Sequence, residues 1–162
     1  MRRWVFDASP IIALGKAGLL DLPERLGVEG IIPEAVAAEV RAGDEADPAR
    51  VWLEADPPFP VVAVTIAPVV AAWDLGAGES AVISHALTHS GAEAVLDDGP
   101  ARTCAGALGV GVRGTLGLLV LAKREGAIPA VRSPINALLG AGYHLGAALV
   151  AAVLAEADET ES

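Results

Sequence analysis

The feature that most constrains the fold is the segment 4–14, in which an apolar run meets an acidic residue and then a helical pattern. Residues 4–6 have the aromatic and β-branched character of a buried strand. Ser9 can cap the following helix, and Pro10 suits the first helical position because it lacks an N–H group. We therefore expect Asp7 where a strand ends and a helix begins, which is the edge where open α/β sheets bind ligands. The alternative is that Asp7 only assists the helix cap.

Apolar segments of this kind alternate with helical patterns along the whole chain. Strands are predicted at residues 3–6, 28–32, 94–96 and 110–112, with an edge strand or extended connection at 61–64. Helices are predicted at residues 10–18, 33–42, 78–90, 100–108, 116–125, 134–139 and 145–157, with shorter ones at 21–26 and 48–55. This alternation predicts an α/β fold with three layers, α/β/α, around a parallel sheet of four to five strands.

Length and composition indicate one domain whose core is aliphatic. The chain has 162 residues, of which 53% are hydrophobic but only 4% aromatic, so Ala, Val, Leu and Ile must fill the core. We expect a single domain over residues 1–157 and a disordered acidic tail over residues 158–162. One cysteine, Cys104, excludes an internal disulfide framework and suits a reducing compartment such as the cytoplasm, and we expect it to be a small buried residue.

The formal charge of −10 argues against a broad basic surface of the kind that binds duplex DNA. It does not argue against nucleic acid in general, because bound divalent cations reverse the local sign of a site. Residues 133–155 carry no formal charge, so a membrane span has to be weighed. Pro134, His144 and the many alanines favour an interior or interface helix instead. No signal peptide is recognisable at the N-terminus.

Four further acids occur at positions related to that of Asp7. Glu39 lies at the margin of the buried face of its predicted helix, and Glu79 lies on the apolar stripe at the start of another. Asp97 and Asp98 end one predicted strand and open the next helix. Each also has a plain structural interpretation: Glu39 as a surface residue, Glu79 as a capping residue, and the Asp pair as a turn with a cap.

Carboxylates that converge at one sheet edge repel one another unless protons or cations intervene. A divalent metal site is the simplest explanation, and oxygen ligands without a His or Cys cluster favour Mg²⁺ or Mn²⁺ over Zn²⁺. His85 and His89 have the i, i+4 spacing of a zinc-binding helix, but no third ligand lies nearby in the sequence.

Five strings of sequence occur together in an order that identifies a family. They are VFDASPIIAL at 5–14, IIPEAVAAEV at 31–40, LGAGESAVI at 75–83, VLDDGPAR at 95–102 and GTLGLLVLAKREG at 114–126. Over nearly its whole length the chain resembles the PIN domain nucleases, and among them the VapC-like toxins and their uncharacterised relatives. The acids that match the family pattern are Asp7, Glu39, Glu79 and Asp98, with Asp97 as a substitute or partner for Asp98.

The resemblance implies a PIN-like fold and a metal-dependent endoribonuclease that cleaves single-stranded RNA. Mg²⁺ or Mn²⁺ held by Asp7, Glu79 and either Asp97 or Asp98 would activate a water for attack on a phosphodiester, and Glu39 would hold a second metal or a water. Ser9 matches the small hydroxyl residue beside the first Asp of the family. The candidate side chains for contact with substrate are Ser9, Arg102, Arg113, Thr115 and Lys123.

By the same resemblance the partners would be an antitoxin protein and a second copy of the chain, while the composition of residues 133–155 argues against membrane association. The acidity of the chain departs from the basic rim typical of such toxins. A PIN fold that binds nucleic acid or protein without cleaving it is the main alternative. A receiver-like domain would need paired acids on the first strand, and a haloacid-type hydrolase would need a second acid two residues after Asp7, where this chain has Ser9.

Overall fold

The computed structural model describes residues 1–159 as a five-stranded, all-parallel sheet with helices packed against it. The strands are β1 (Arg2–Phe6), β2 (Val28–Pro33), β3 (Val61–Val62), β4 (Ala92–Val95) and β5 (Val112–Arg113). The helices are α1 (Ala8–Lys16), α2 (Leu22–Arg25), α3 (Glu34–Arg41), α4 (Pro48–Glu54), α5 (Pro68–Ala71), α6 (Ala77–Thr88), α7 (Gly99–Ala107), α8 (Thr115–Arg124), α9 (Arg132–Gly140) and α10 (Ala147–Glu156). The α/β class and the parallel sheet predicted from the sequence are confirmed.

The strand order β3-β2-β1-β4-β5 creates a switch point at the centre of the sheet. The chain moves outward from β1 to β3 and then returns past β1 to form β4 and β5 on the other side. Because parallel crossovers are almost always right-handed, the two sets of connections cover opposite faces of the sheet. The carboxyl ends of β1 and β4 therefore meet where these connections diverge, which is the usual ligand position in such folds.

The strand ends differ from the prediction by one or two residues. β3 has only two residues, because its partner β2 offers two register positions, Ile32 and Pro33, before the chain leaves the edge. β5 begins two residues later than predicted, at Val112, and β4 ends at Val95, one residue earlier than predicted. The short helix α5 has no counterpart in the prediction, since four residues are too few to show a helical period.

An aromatic cluster fills one side of the sheet centre. The rings of Phe6 and Phe59 stack with centroids 5.5 Å apart, and Trp4 meets Phe6 edge-on at 6.0 Å. Gly30 on β2 lies directly beneath Phe59. Cys104 is completely buried as predicted, and burial raises the pKa of its thiol.

The C-terminal segment is held against the domain as far as Glu159. Its carboxylate accepts hydrogen bonds from the backbone N–H of Val131 at 2.7 Å and of Arg132 at 3.3 Å, and it pairs with Lys123 at 3.1 Å. The predicted disordered tail therefore begins too early, because these long-range contacts are invisible in the sequence. Its remaining residues, 160–162, lie outside the described residues. No helix within residues 1–159 is both long and apolar enough to cross a membrane.

Gly30 gives a direct test of how tightly this core is packed. A Cβ atom at Gly30 would lie 2.7 Å from ring atoms of the buried Phe59, so Gly30→Ala must displace the ring or the strand. We expect the free energy of unfolding to fall by about 1–3 kcal/mol in urea titrations. Gly106→Ala on α7 is the matched control, because nothing lies within 4 Å of its Cβ. It should be neutral or stabilising by up to about 1 kcal/mol, and equal losses in both variants would contradict the packing.

Candidate functional site

Asp7 occupies the junction between β1 and α1 at the centre of the sheet. Its backbone N–H donates to the carbonyl of Val95 at 3.1 Å, which joins the carboxyl ends of β1 and β4. Asp7 itself is the N-cap residue of α1, in an extended conformation, but its side chain makes no capping bond. The expectation that Ser9 caps this helix is wrong, because α1 already begins at Ala8 and Ser9 lies within the first turn.

The Asp7 side chain is buried with little compensation. Only 2% of the residue is exposed, and Oδ1 has no hydrogen-bond partner among residues 1–159. Burial raises the pKa of this carboxyl from 3.8 to about 7, with further increases from Glu79, Glu39 and Asp97, while a bond from the Ala8 backbone opposes the shift. A carboxylate in this environment is stabilised only by a proton or a cation.

A glycine brings the two glutamates to Asp7. A Cβ atom at Gly78 would lie 3.2 Å from Asp7 Oδ1 and 3.2 Å from Glu39 Oε2, so the start of α6 packs against both carboxyl groups. Glu79 follows Gly78 in the first turn of α6. Burial and, after it, the charge of Glu79 raise the pKa of Glu39. The structure thus brings together Asp7, Glu39 and Glu79, as the sequence predicts.

The Asp97–Asp98 pair divides between two environments. Asp97 Oδ1 accepts a hydrogen bond from the Thr115 N–H at 2.8 Å, and Oδ2 accepts one from the Thr115 hydroxyl at 2.6 Å. The Ser9 hydroxyl lies 3.5 Å from the same Oδ2. Asp98 instead caps α7, accepting the N–H of Ala101 at 3.0 Å. Asp97 is therefore the residue of the pair that faces the acid cluster, which we define as Asp7, Glu39, Glu79 and Asp97.

Of the three cationic side chains predicted to contact substrate, only one lies near the acid cluster. Arg102 lies beside Asp97, with Nη1 donating to the Leu96 carbonyl at 2.9 Å. Arg113 pairs with Glu93 at 3.3 Å and covers the Trp4 ring, so its side chain points back toward the amino ends of the strands. Lys123 bonds to the Ala157 carbonyl and pairs with Glu159 at the opposite end of α8. The structure does not bring Arg113 or Lys123 to the acid cluster.

Two residues near the cluster were missed in the sequence. Gly78 stands in the string GAGE, where a run of small residues before an acid was the available signal. Tyr143 follows α9, and the pKa of its phenol is raised by burial and by the charges of Asp47 and Asp97, while Lys16 opposes the shift. Nothing in the local sequence of Tyr143 indicates this long-range approach.

The acid cluster fits a hard divalent cation by its chemistry. Its donors are carboxylate oxygens, and Asp7 Oδ1 is a buried acceptor that no protein group within residues 1–159 satisfies. Across the same residues no group of three or more His, Cys, Asp or Glu side chains is placed to hold a metal ion, so the acid cluster is not a preassembled metal site. His85 and His89 stack at 3.8 Å beside a cavity of about 710 Å³ near the amino ends of the strands, away from the cluster.

The fold and the cluster define a class: a parallel α/β domain with acids gathered at the switch point of its sheet. A family model described as a PIN domain matches residues 3–159, and the chain belongs to the PIN domain family. PIN domains are generally nucleases that use divalent metals, so this is a nuclease-type, nucleic-acid-binding fold. No curated protein and no solved structure matches the chain significantly.

The raised pKa of Asp7 predicts how stability depends on pH. The folded state holds a proton on Asp7 up to about pH 7, whereas the unfolded state releases it near pH 3.8, so burial of Asp7 destabilises the fold progressively between these values. In EDTA, we expect Asp7→Asn to gain up to about 4 kcal/mol relative to wild type between pH 4 and pH 8. Urea titrations at several pH values measure this, and a difference independent of pH would contradict it.

The two neighbouring aspartates are predicted to respond differently to metal. Asp97→Ala should abolish most of the increase in melting temperature that Mn²⁺ gives the wild type over EDTA, because it removes one of the cluster carboxylates. Asp98→Ala should cost about 1 kcal/mol by removing the cap of α7 yet keep the metal-induced increase. Differential scanning fluorimetry measures the melting temperatures of both variants in Mn²⁺ and in EDTA. If only Asp98→Ala lost the metal-induced increase, Asp98 and not Asp97 would be the metal ligand.

Proposed function

We propose that this protein is a divalent-metal-dependent endoribonuclease that cleaves phosphodiester bonds of single-stranded RNA. The observation that carries the proposal is the buried, unpartnered Oδ1 of Asp7 at the centre of the acid cluster. Burying a carboxylate in this state destabilises the fold, and such a cost is typical of functional sites. Membership of a family of nucleases supplies the reaction class.

The positions of the cluster residues suggest a separate role for each in binding the metal and orienting water. Asp7, Glu79 and Asp97 would hold Mg²⁺ or Mn²⁺, and the exposed Glu39 would hold a second cation or orient a water. When bound, a divalent cation supplies a water of lowered pKa and a positive charge opposite the phosphodiester. Thr115 fixes both oxygens of Asp97, so that carboxylate is oriented before any ligand arrives. Asp98 has no direct role in this scheme.

Single-stranded RNA suits the surroundings of the cluster. A chain with a formal charge of −10 offers no broad electrostatic field for a stiff duplex, so binding must depend on a few local contacts. A flexible strand can bend its backbone toward an acid cluster at a sheet edge. Ser9 and Arg102 stand beside Asp97, where they can donate hydrogen bonds to phosphate oxygens.

We further propose that the protein is the toxin of a toxin–antitoxin pair and acts in the cytoplasm as a homodimer. The resemblance to VapC-like toxins suggests both partners. Exposed apolar side chains, among them Val69, Trp73, Leu139 and Leu149, are available for covering by an antitoxin or a second copy. The uncharged segment 133–155 contributes two of them.

A non-catalytic PIN module that binds nucleic acid or protein is the second candidate. Two observations favour it: the negative charge of the chain, and the lack within residues 1–159 of any group of three or more His, Cys, Asp or Glu side chains placed to hold a metal ion. Such a module would keep the fold but hold metal weakly. Its distinguishing property would be RNA binding that is independent of both metal and Asp7.

The nuclease proposal predicts metal-dependent cleavage that requires Asp7. Purified wild type should cleave a mixed pool of single-stranded RNA in Mn²⁺ and not in EDTA, and Asp7→Asn should lower the rate by at least about a hundredfold. Denaturing gels with end-labelled RNA measure the rate. Asp7→Asn is a suitable variant because loss of a buried, unpartnered charge should not destabilise the fold.

Arg124→Gln, an exposed change at the far end of α8, controls for handling and contaminating nuclease. It should cleave as wild type does. Cleavage that persists in Asp7→Asn would contradict the assigned site, and RNA binding without cleavage by the wild type would favour the non-catalytic module.

A further inference from the structure

Arg102 is held at the edge of the acid cluster by a hydrogen bond to a backbone carbonyl. It lies one turn into α7, and its Nη1 donates to the carbonyl of Leu96 at 2.9 Å. Leu96 directly precedes Asp97 in the chain. One N–H group of the guanidinium is therefore bonded next to the strand end, which leaves its other N–H donors for further hydrogen bonds.

Gly114 makes this placement possible. A Cβ atom at Gly114 would lie 2.7 Å from Arg102 Nη1 and 3.3 Å from Asp97 Oδ1. The space that a side chain at position 114 would need is thus bordered by both the guanidinium and the carboxylate. Any side chain at this position would force the guanidinium of Arg102 or the backbone of Gly114 to shift.

Arg102 differs from three other cationic side chains of the domain, which are engaged in ion pairs of their own. Lys16 pairs with Asp47 at 2.8 Å, and Arg113 and Lys123 pair with Glu93 and Glu159. Arg102 forms no ion pair within residues 1–159 and is exposed to solvent. Its fixed, solvent-facing guanidinium is therefore available to an anionic ligand.

We propose that Arg102 and Gly114 form a phosphate-binding subsite for the RNA backbone next to the acid cluster. The planar guanidinium presents parallel N–H donors that match two phosphate oxygens, whereas an ammonium group does not. The subsite holds one backbone phosphate of an RNA strand. The phosphodiester bond next to that phosphate then lies at Asp7 and Asp97. This inference rests on the proposed function for its choice of RNA as the ligand.

The salt dependence of RNA binding separates a phosphate contact from a structural role. The probe is a fluorescein-labelled single-stranded oligouridylate, and the protein carries Asp7→Asn so that it does not cleave. Fluorescence anisotropy between about 50 and 200 mM KCl gives the slope of log affinity against log salt. Adding Arg102→Gln should reduce that slope by about 0.7 and weaken binding about tenfold at the lowest salt.

Two more variants test whether the shape and position of the Arg102 guanidinium matter in addition to its charge. Arg102→Lys should keep most of the slope yet bind more weakly than arginine, because it loses the paired donors. Gly114→Ala should weaken binding several-fold with no change in net charge, since it displaces the guanidinium. Arg124→Gln is the control for loss of one positive charge and should leave the slope unchanged. Thermal melts establish that each variant is folded.

The outcomes distinguish this subsite from the nuclease proposal. If the slope falls only for Arg102→Gln, the subsite stands, even where the wild type shows no cleavage and the nuclease proposal fails. Equal slopes for Arg102→Gln and Arg124→Gln would overturn the subsite, as would wild-type-like binding by Gly114→Ala or a complete lack of RNA binding by the parent protein.

Discussion

The burial of the Asp7 carboxyl group is the constraint on which the site depends. A carboxylate that loses its hydration and gains no hydrogen bond at Oδ1 raises the free energy of the folded state, and Glu39, Glu79 and Asp97 increase that energy further. Asp7 is held in this position by the backbone, since its N–H donates to the Val95 carbonyl where β1 and β4 end side by side. A proton removes the cost below about pH 7, and a divalent cation would remove it above.

The local backbone determines how the other carboxyl groups of the site are oriented. Asp97 lies beyond the end of β4 and Asp98 is the N-cap of α7, so the two carboxyl groups have different partners. Thr115, at the start of α8, binds both oxygens of Asp97, and the neighbouring Asp98 completes the first turn of α7. Gly78 and Gly114 leave out side chains where the carboxyl groups converge. Two helix starts and two glycines therefore shape the cluster.

Much of this arrangement was readable from the sequence, for physical reasons. The run of aromatic and β-branched residues before Asp7, and the change to a helical pattern after it, are local signals that place an acid at a sheet edge. The order of strands and helices then predicts which edges coincide. The role of Asp98 as a cap was one of the two interpretations left open. What the sequence could not show was contact between distant residues: the pairing of Lys123 with Glu159, of Arg113 with Glu93, and the approach of Tyr143.

A diffraction experiment tests the central claim, that a cation compensates the Asp7 carboxylate, most directly. Crystals of the wild type grown in Mn²⁺ above pH 7, measured at the manganese absorption edge, locate the ion by its anomalous scattering. We expect a peak at roughly 2 Å from Asp7 Oδ1, with oxygens of Glu79 and Asp97 also within coordination distance. An anomalous map with no peak beside Asp7, or with its only peak at the stacked pair His85 and His89, would contradict it.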